Sequence, residues 1–206
     1  ADNTITAETG GSERVRVNSD GDVLVGGHTA PLTTYQSTQT RLSIHKSSGS
    51  GAYLELGGAQ NTNGTSSGTI LFINDNNADA TNNDANGKIV AMQRVEIVTS
   101  DSNNDDDSGG DLVFMVKPEA ANLTERLRMD SVGQILPGAD NTQNLGSSSK
   151  RWKNIYSADL HCSNKGSKND VDGTWGDYTI QEGENDLFLI NNRSGKKNKF
   201  NLTEVD

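Results

Sequence analysis

The sequence predicts an all-β protein, and three observations carry that prediction. Hydrophobic residues make up only 31% of the 206 residues and aromatics 5%, while Gly, Asn, Ser and Thr supply 22, 23, 20 and 18. Gly and Asn tolerate left-handed backbone, and Ser and Thr bond to nearby main chain, so this mixture fits short strands joined by many turns. No segment holds a helical period over more than two turns, whereas short apolar runs bounded by turn residues recur throughout. Finally, the chain repeats a strand–turn–strand: GSERVRVNSDGDVLVGG at 11–27 returns as LTERLRMDSVGQILPG at 123–138. Aligned from Ser12 on Thr124 the offset is a constant 112, with Glu, Arg, Arg, Ser, Leu and two Gly identical.

The elements follow in chain order. Val15 and Val17 alternate with Arg14 and Arg16, and Asn18-Ser19-Asp20-Gly21 then turns the chain into Val23-Leu24-Val25. Asn or Asp at the first turn position and Gly at the fourth is the type I preference, met again by Asp130 and Gly133. Further strands are predicted at 41–46 (RLSIHK), 52–57 (AYLELG), 69–74 (TILFIN), 88–99 (KIVAMQRVEIVT) and 111–117 (DLVFMVK), with Asn63-Gly64 and Asn86-Gly87 as turns. Residues 138–150 read as a connector, followed by RWKNIYSADL with Trp152, Ile155 and Tyr156 as apolar anchors. The chain closes as a three-stranded meander: WGDYTIQ, a turn at EGEND, LFLIN, a turn at Asn192-Arg193-Ser194-Gly195, and KKNKFNLTEV.

So few apolar residues bury too little surface to offset chain entropy in a compact monomer of this size. Other copies of the same chain, pooling a narrow core, are the simplest source of extra burial. Net charge is −10, and all the excess lies in residues 1–149, because 150–206 hold nine Lys/Arg against nine Asp/Glu. With no basic stripe to displace counterions, a nucleic-acid partner is not expected. No apolar run approaches the ~20 residues of a membrane span, so membrane insertion is not expected either. A single Cys excludes an intramolecular disulfide framework.

Several motifs carry candidate chemistry. Gly64-Thr65-Ser66-Ser67-Gly68 matches the nucleophile-elbow pattern, but that motif needs a strand before and a helix after, and here a strand follows a turn. In DSNNDDDSGGD (101–111) the donors Asp101, Asn103 and Asp105 alternate as in a calcium loop. Asp106 stands where such a loop needs Gly, and no bidentate Glu follows, so a solvated hairpin tip competes with a calcium site. His28, His45 and His161 lack ligand spacing; His161-Cys162 could donate to a metal shared between copies. Arg14, Arg16, Arg126 and Arg128 could clamp an anionic sugar, but Glu13 and Glu125 beside them favour ion pairing. No two of the 28 acids are singled out as a glycosidase pair, so no catalytic residue is assigned and the protein is expected to be no enzyme.

The combination GDLVFMVKP … TERLRMDSVGQI (110–135) resembles a segment of bacteriophage tail fibres and related virion adhesins. NLGSSSKRWKNIYSADLHCSN (144–164) is similar to the connector those fibres place before their distal part. The closing DGTWGDYTIQEGENDLFLINNRSGKKNKFNLTEV is similar to C-terminal ends of fibre proteins in phages of marine bacteria and cyanobacteria. The resemblance implies an elongated homotrimeric fibre in the virion, bound to other tail or capsid proteins at one end and to a bacterial surface glycan or protein at the other. It divides the chain into an N-terminal, virion-proximal hairpin segment (1–40), a β-rich body (41–137), a connector (138–164) and a C-terminal β-meander tip (165–206). Trp175 and Tyr178, near the distal end, are then the candidate receptor-binding residues, with anchoring of the meander as the competing role. Many such fibres end in an autocleaving chaperone; here the connector runs into NKGSKNDVDGTWGDY and a short meander, so no proteolysis is expected. The alternatives to an adhesin are a capsid fibre, decoration or tail connector protein without a receptor, and a polysaccharide depolymerase. No cofactor is expected beyond the calcium candidate.

Overall fold

The computed structural model describes residues 3–27, 29–30, 39–46, 49, 51–74, 88–101, 108–119 and 121–203. Among them every regular element is a strand, and the strands form three sheets. The first sheet runs β1 (Ile5–Thr9), β2 (Ser12–Val17), β3 (Val23–Val25) and β4 (Leu42–Ile44), with β3 and β4 parallel. The second is an antiparallel meander of β5 (Ser66–Ile73), β6 (Ile89–Val98), β7 (Gly109–Val116), β8 (Thr124–Met129) and β9 (Ile135–Pro137). Both lie in the unit Ala1–Gln143. The unit Asn144–Asp206 holds the third sheet, β10 (Asp159–Ser163), β11 (Asp177–Glu182), β12 (Leu187–Asn191) and β13 (Lys197–Lys199), again antiparallel.

Four differences from the sequence reading have physical causes. Residues 52–57 join no ladder, although their apolar pattern predicts a strand; the Leu56 carbonyl instead lies against Gly68, where a Cβ would come within 2.5 Å of it. β1 (ITAET) has too little apolar alternation to stand out, and is recruited by the neighbouring β2. β10, from the segment read as connector, adds a fourth strand to the C-terminal meander. In that segment Trp152, Ile155 and Tyr156 are 62%, 70% and 92% exposed, so within one chain they anchor nothing. The turn expected at Asn86-Gly87 lies outside the described residues.

The repeated hairpin is a repeat of structure down to single hydrogen bonds. In the first copy the Gly21 amide donates to the Asn18 carbonyl at 3.1 Å, and the Asn18 amide to the Asp22 carbonyl at 3.1 Å. In the second, Gly133 donates to Asp130 at 2.9 Å and Asp130 to Gln134 at 3.0 Å. Gly21 and Gly133 hold φ of 82° and 89°, the left-handed position that closes a type I turn with a bulge. The side-chain oxygen at the first turn position caps both turns: Asn18 Oδ1 accepts from the Asp20 and Asp22 amides, and Asp130 Oδ1 from Val132 and Gln134.

Each copy also carries the same β-bulge. Ala7 pairs with Val15 and Glu8 with Glu13, leaving Arg14 over; Phe114 pairs with Leu127 and Met115 with Glu125, leaving Arg126 over. The freed carbonyl of Arg14 accepts from Gly26 at 2.9 Å, and that of Arg126 from Gly138 at 3.1 Å. Residues three apart on a regular strand face opposite ways; the extra residue brings Glu13 and Arg16 to one face, and likewise Glu125 and Arg128. Both arginines then form a two-armed fork, at 2.8 and 2.5 Å for Arg16–Glu13 and 2.9 and 2.7 Å for Arg128–Glu125.

In the second copy the fork becomes a node. Arg128 also reaches Asp111 on β7 at 2.6 Å and Glu96 on β6 at 2.8 Å, while Arg94 pairs with Glu96. The hydrogen bond from Glu125 first, then those to Asp111 and Glu96, raise the Arg128 pKa above the ordinary arginine value against the cost of desolvation. Val113, fully buried, lies in one cross-strand row between Arg94 and Arg128. Arg128→Ala leaves three part-buried carboxylates short of a partner, so it is expected to cost about 2–4 kcal/mol. Arg16→Ala breaks the fork onto Glu13 and is expected to destabilise the first sheet. Urea unfolding checks both losses, and an Arg128→Ala loss below about 1 kcal/mol would contradict the node.

Candidate functional site

The two candidate receptor-binding residues sit in the C-terminal sheet and its leading loop. Tyr178 opens β11 in a cross-strand row with Cys162 and Asn191, and its hydroxyl accepts from Asn191 Nδ2 at 3.1 Å. Its ring lies over Gly176, where an added Cβ would come within 2.8 Å of it. Trp175, half-buried at the end of the loop, has the Arg193 guanidinium 3.9 Å from its ring centroid. Arg193 Nη1 also donates to the Trp175 carbonyl at 2.6 Å, so one ring face is taken by a cation held from two sides.

The loop between β10 and β11 is built almost wholly from short polar side chains bonding to main chain. Asn164 Oδ1 accepts from the Gly176 amide at 2.6 Å and closes its base. Asn169 Oδ1 accepts from the Val171 and Asp172 amides, and its Nδ2 donates to Asp172 and to the Thr174 carbonyl. Asp172 Oδ1 accepts from both the Thr174 amide, at 2.9 Å, and the Thr174 hydroxyl, at 2.7 Å. These Thr174 bonds, hydroxyl first, hold the Asp172 carboxyl below the usual carboxylate range. Such a loop keeps its shape without a core, because its turns are satisfied internally.

An open depression of about 500 Å³ lies beside the β10 edge, lined by His161, Cys162, Ser163, Asn164, Asn169, Gly176 and Tyr178. Tyr178 thus belongs to a concave, mixed polar and aromatic surface, while Trp175 is not among its lining residues. An aromatic ring beside amide and hydroxyl groups can stack on one face of a sugar and bond to its hydroxyls. His161 Nδ1 lies 2.9 Å from the buried Thr179 Oγ1, which also accepts from Asn192 Nδ2 at 3.0 Å. This tie was invisible in the sequence, where His161 stood out only beside Cys162.

The other candidates resolve one by one. Among the described residues no three His, Cys, Asp or Glu come together as a metal site. Asp101 is bonded to the Thr99 hydroxyl at 3.2 Å, and Asn103 and Asp105 lie outside the described residues, as does His28. Ser66 of the elbow-like motif begins β5 and bonds to Gly68 and Thr69, with no base beside it in those contacts. Arg14 donates to Thr9, while Arg16 and Arg128 are engaged by carboxylates of their own chain, which disfavours a sugar clamp there. Glu96, Asp111 and Glu125 are taken up by the Arg128 node.

No protein-family model matches the chain, and no curated protein matches it. Among solved structures, the chain is similar to the carboxy-terminal domain of the L-shaped tail fibre of bacteriophage T5. That match has 16% identity and a TM-score of 0.33, over 73% of this chain and 69% of that one. It is also similar to the same domain with its intramolecular chaperone domain, at 18% identity and a TM-score of 0.38, over 82% of this chain and 52% of that one.

The depressed Asp172 carboxyl gives a pH prediction. A carboxylate whose folded pKa is lowered contributes order above its unfolded pKa and loses it as pH falls through the folded value. Protection of the Thr174 amide from hydrogen exchange is therefore expected to persist at neutral pH and to fall only below the usual carboxylate range. Asp172→Ala is expected to lose it at every pH; a protected Thr174 amide in that variant would contradict the loop account.

Proposed function

We propose that the chain is a structural, non-enzymatic part of a phage tail fibre, homotrimeric in the virion, whose C-terminal sheet contacts the surface of the bacterial host. The observation that supports it most is burial. Among the described residues only Leu24, Ile89 and Val113 are buried hydrophobics, while large apolar side chains such as Ile5, Phe72, Ile135 and Leu160 are 73%, 52%, 58% and 51% exposed. Sheets in this state are halves of interfaces, which suits a chain that functions only when assembled. The tail-fibre reading itself rests on the sequence likeness over 110–206, whose closing segment points to phages of marine bacteria or cyanobacteria.

Three copies per fibre would present three Tyr178 depressions and three Trp175–Arg193 pairs, so weak contacts with a surface glycan or protein add up through avidity. The fibre needs no cofactor for this. Light scattering on the isolated chain is expected to give three times the 22.0 kDa of one copy. Purified protein is expected to block adsorption of its phage. Replacing both Trp175 and Tyr178 by Ala should weaken that block at least about tenfold, because a small loss per site is multiplied across copies. Stable virion association without any block would make the chain a capsid or connector protein instead, and release of reducing sugar from host envelope would make it a depolymerase.

A further inference from the structure

The turn between β12 and β13 gathers positive charge in a chain that is otherwise acidic. The unit Ala1–Gln143 holds nine Lys/Arg against nineteen Asp/Glu, whereas the unit Asn144–Asp206 holds nine of each. Within the second unit Arg193, Lys196, Lys197 and Lys199 fall in a stretch of seven residues that contains no acid. Lys199 is neutralised by Asp186 at 2.7 Å. Arg193, Lys196 and Lys197 are exposed, and among the described residues no carboxylate pairs with them. The Asn191 amide donates to the Lys196 carbonyl and Lys197 pairs with Ile190, so both lysines flank the turn that carries Arg193.

The turn is fixed from below. Asn191 Oδ1 accepts from the Arg193 and Ser194 amides at 3.0 and 3.1 Å, and the Gly195 amide donates to the Asn191 carbonyl at 2.8 Å. Asn191 Nδ2 in turn donates to the Tyr178 hydroxyl, and Asn192 Nδ2 to Asp177 and Thr179. The Arg193 side chain is fixed as well, because Nη1 donates to the Trp175 carbonyl and the guanidinium stacks on the Trp175 ring. Stacking covers a face of the guanidinium and leaves its edges open. Nε and Nη2, the two parallel donors of one edge, make no hydrogen bond among the described residues. The chain itself shows what that edge takes. In both repeat copies the same two nitrogens, of Arg16 and of Arg128, fork onto the two oxygens of one glutamate.

We propose that Arg193, held on Trp175, is the specificity-determining residue of a site for a carboxylate-bearing sugar of a surface glycan. The planar fork of Nε and Nη2 takes the carboxylate in its own plane. The indole beside it offers apolar surface to the C–H groups of the sugar ring. Lys196 and Lys197 act as point charges that draw in a polymer of such acids. An arginine that only closed the loop would need Nη1 and the ring; it would not need a second edge open beside two unpaired lysines. The inference rests on the reading that the C-terminal unit meets a host surface, and it names the chemistry bound there.

The test uses the full chain with Trp152→Phe, which leaves Trp175 as its one tryptophan. Polygalacturonate, alginate and polysialic acid are the probes at physiological ionic strength, each with its carboxyl-reduced form as the uncharged control. At least one acidic polymer is expected to change Trp175 fluorescence saturably, and its reduced form to bind at least about tenfold more weakly. Arg193→Lys keeps the charge and loses the fork, so affinity is expected to fall at least about fivefold. No saturable response to any of the three, equal binding of the reduced form, or an Arg193→Lys affinity like that of its parent would each overturn the proposal. So would inorganic phosphate displacing the polymer as well as the free sugar acid does. If Arg193→Lys loses the Thr174 amide protection of the loop, Lys197→Glu decides instead. It leaves Nη1 and the ring untouched and sets a carboxylate at the turn, so it is expected to abolish the response, and unchanged affinity would overturn the site. Polymer binding by a protein that does not block adsorption would uphold the site and overturn host attachment. A block of adsorption that survives Arg193→Lys, with no polymer bound, would overturn the site and leave host attachment standing.

Discussion

Burial is the scarce quantity in this chain, and the rest of the structure follows from that shortage. Leu24 and Val113 are the only fully buried large side chains among the described residues, and each sits in a row with an arginine that forks onto a glutamate. With so little hydrophobic stabilisation to set against chain entropy, order within one chain must come from main-chain ladders, turns closed by their own side chains, and a few concentrated ion pairs. What the sheets leave uncovered is correspondingly large, and it is apolar.

The bulge at Arg14 and Arg126 shows how one backbone irregularity organises the repeat. It shifts the alternation of β2 and β8 by one residue, which places glutamate and arginine three apart on the same face. It also frees a carbonyl for Gly26 or Gly138. Side chains at those glycines would collide: a Cβ at Gly26 would lie 1.7 Å from the His45 carbonyl oxygen, and one at Gly138 2.2 Å from that of Glu125. The duplicated residues are therefore requirements of a building unit. In the second copy, with β6 alongside β7, the fork extends to Asp111 and Glu96.

The C-terminal unit reaches order by a different route. Its loop is stitched by Asn164, Asn169 and Asp172, and its sheet by the Asn192, Thr179 and His161 chain of hydrogen bonds. Polar residues chosen for turn geometry leave aromatic rings free to line a surface. Tyr178 edges the depression, while Trp175 is partly spent on holding Arg193. The chemistry available there is shape, stacking and hydrogen bonding.

The sequence by itself determined the strand content, the placement of β2 to β9 and β11 to β13, and both Gly-closed turns, because alternation and turn chemistry are local. It also showed that one chain holds too few apolar residues for a core, since that follows from composition. It could not show which strands pair or which way a face turns. The apolar run at 52–57 looks like a strand and finds no ladder, whereas ITAET and DLHCS look weak and find partners. Nor could it place Glu96, Asp111 and Glu125 around Arg128, because residues up to 32 positions apart meet only when the register of three strands is fixed. Tertiary structure decided those meetings, and with them the fact that Leu24 and Val113 are buried in the arginine-bearing rows while Ile5, Leu42, Met129 and Ile135 stay exposed on the opposite faces: a bulge resets the alternation, and no local pattern encodes where the opposing strand will stop.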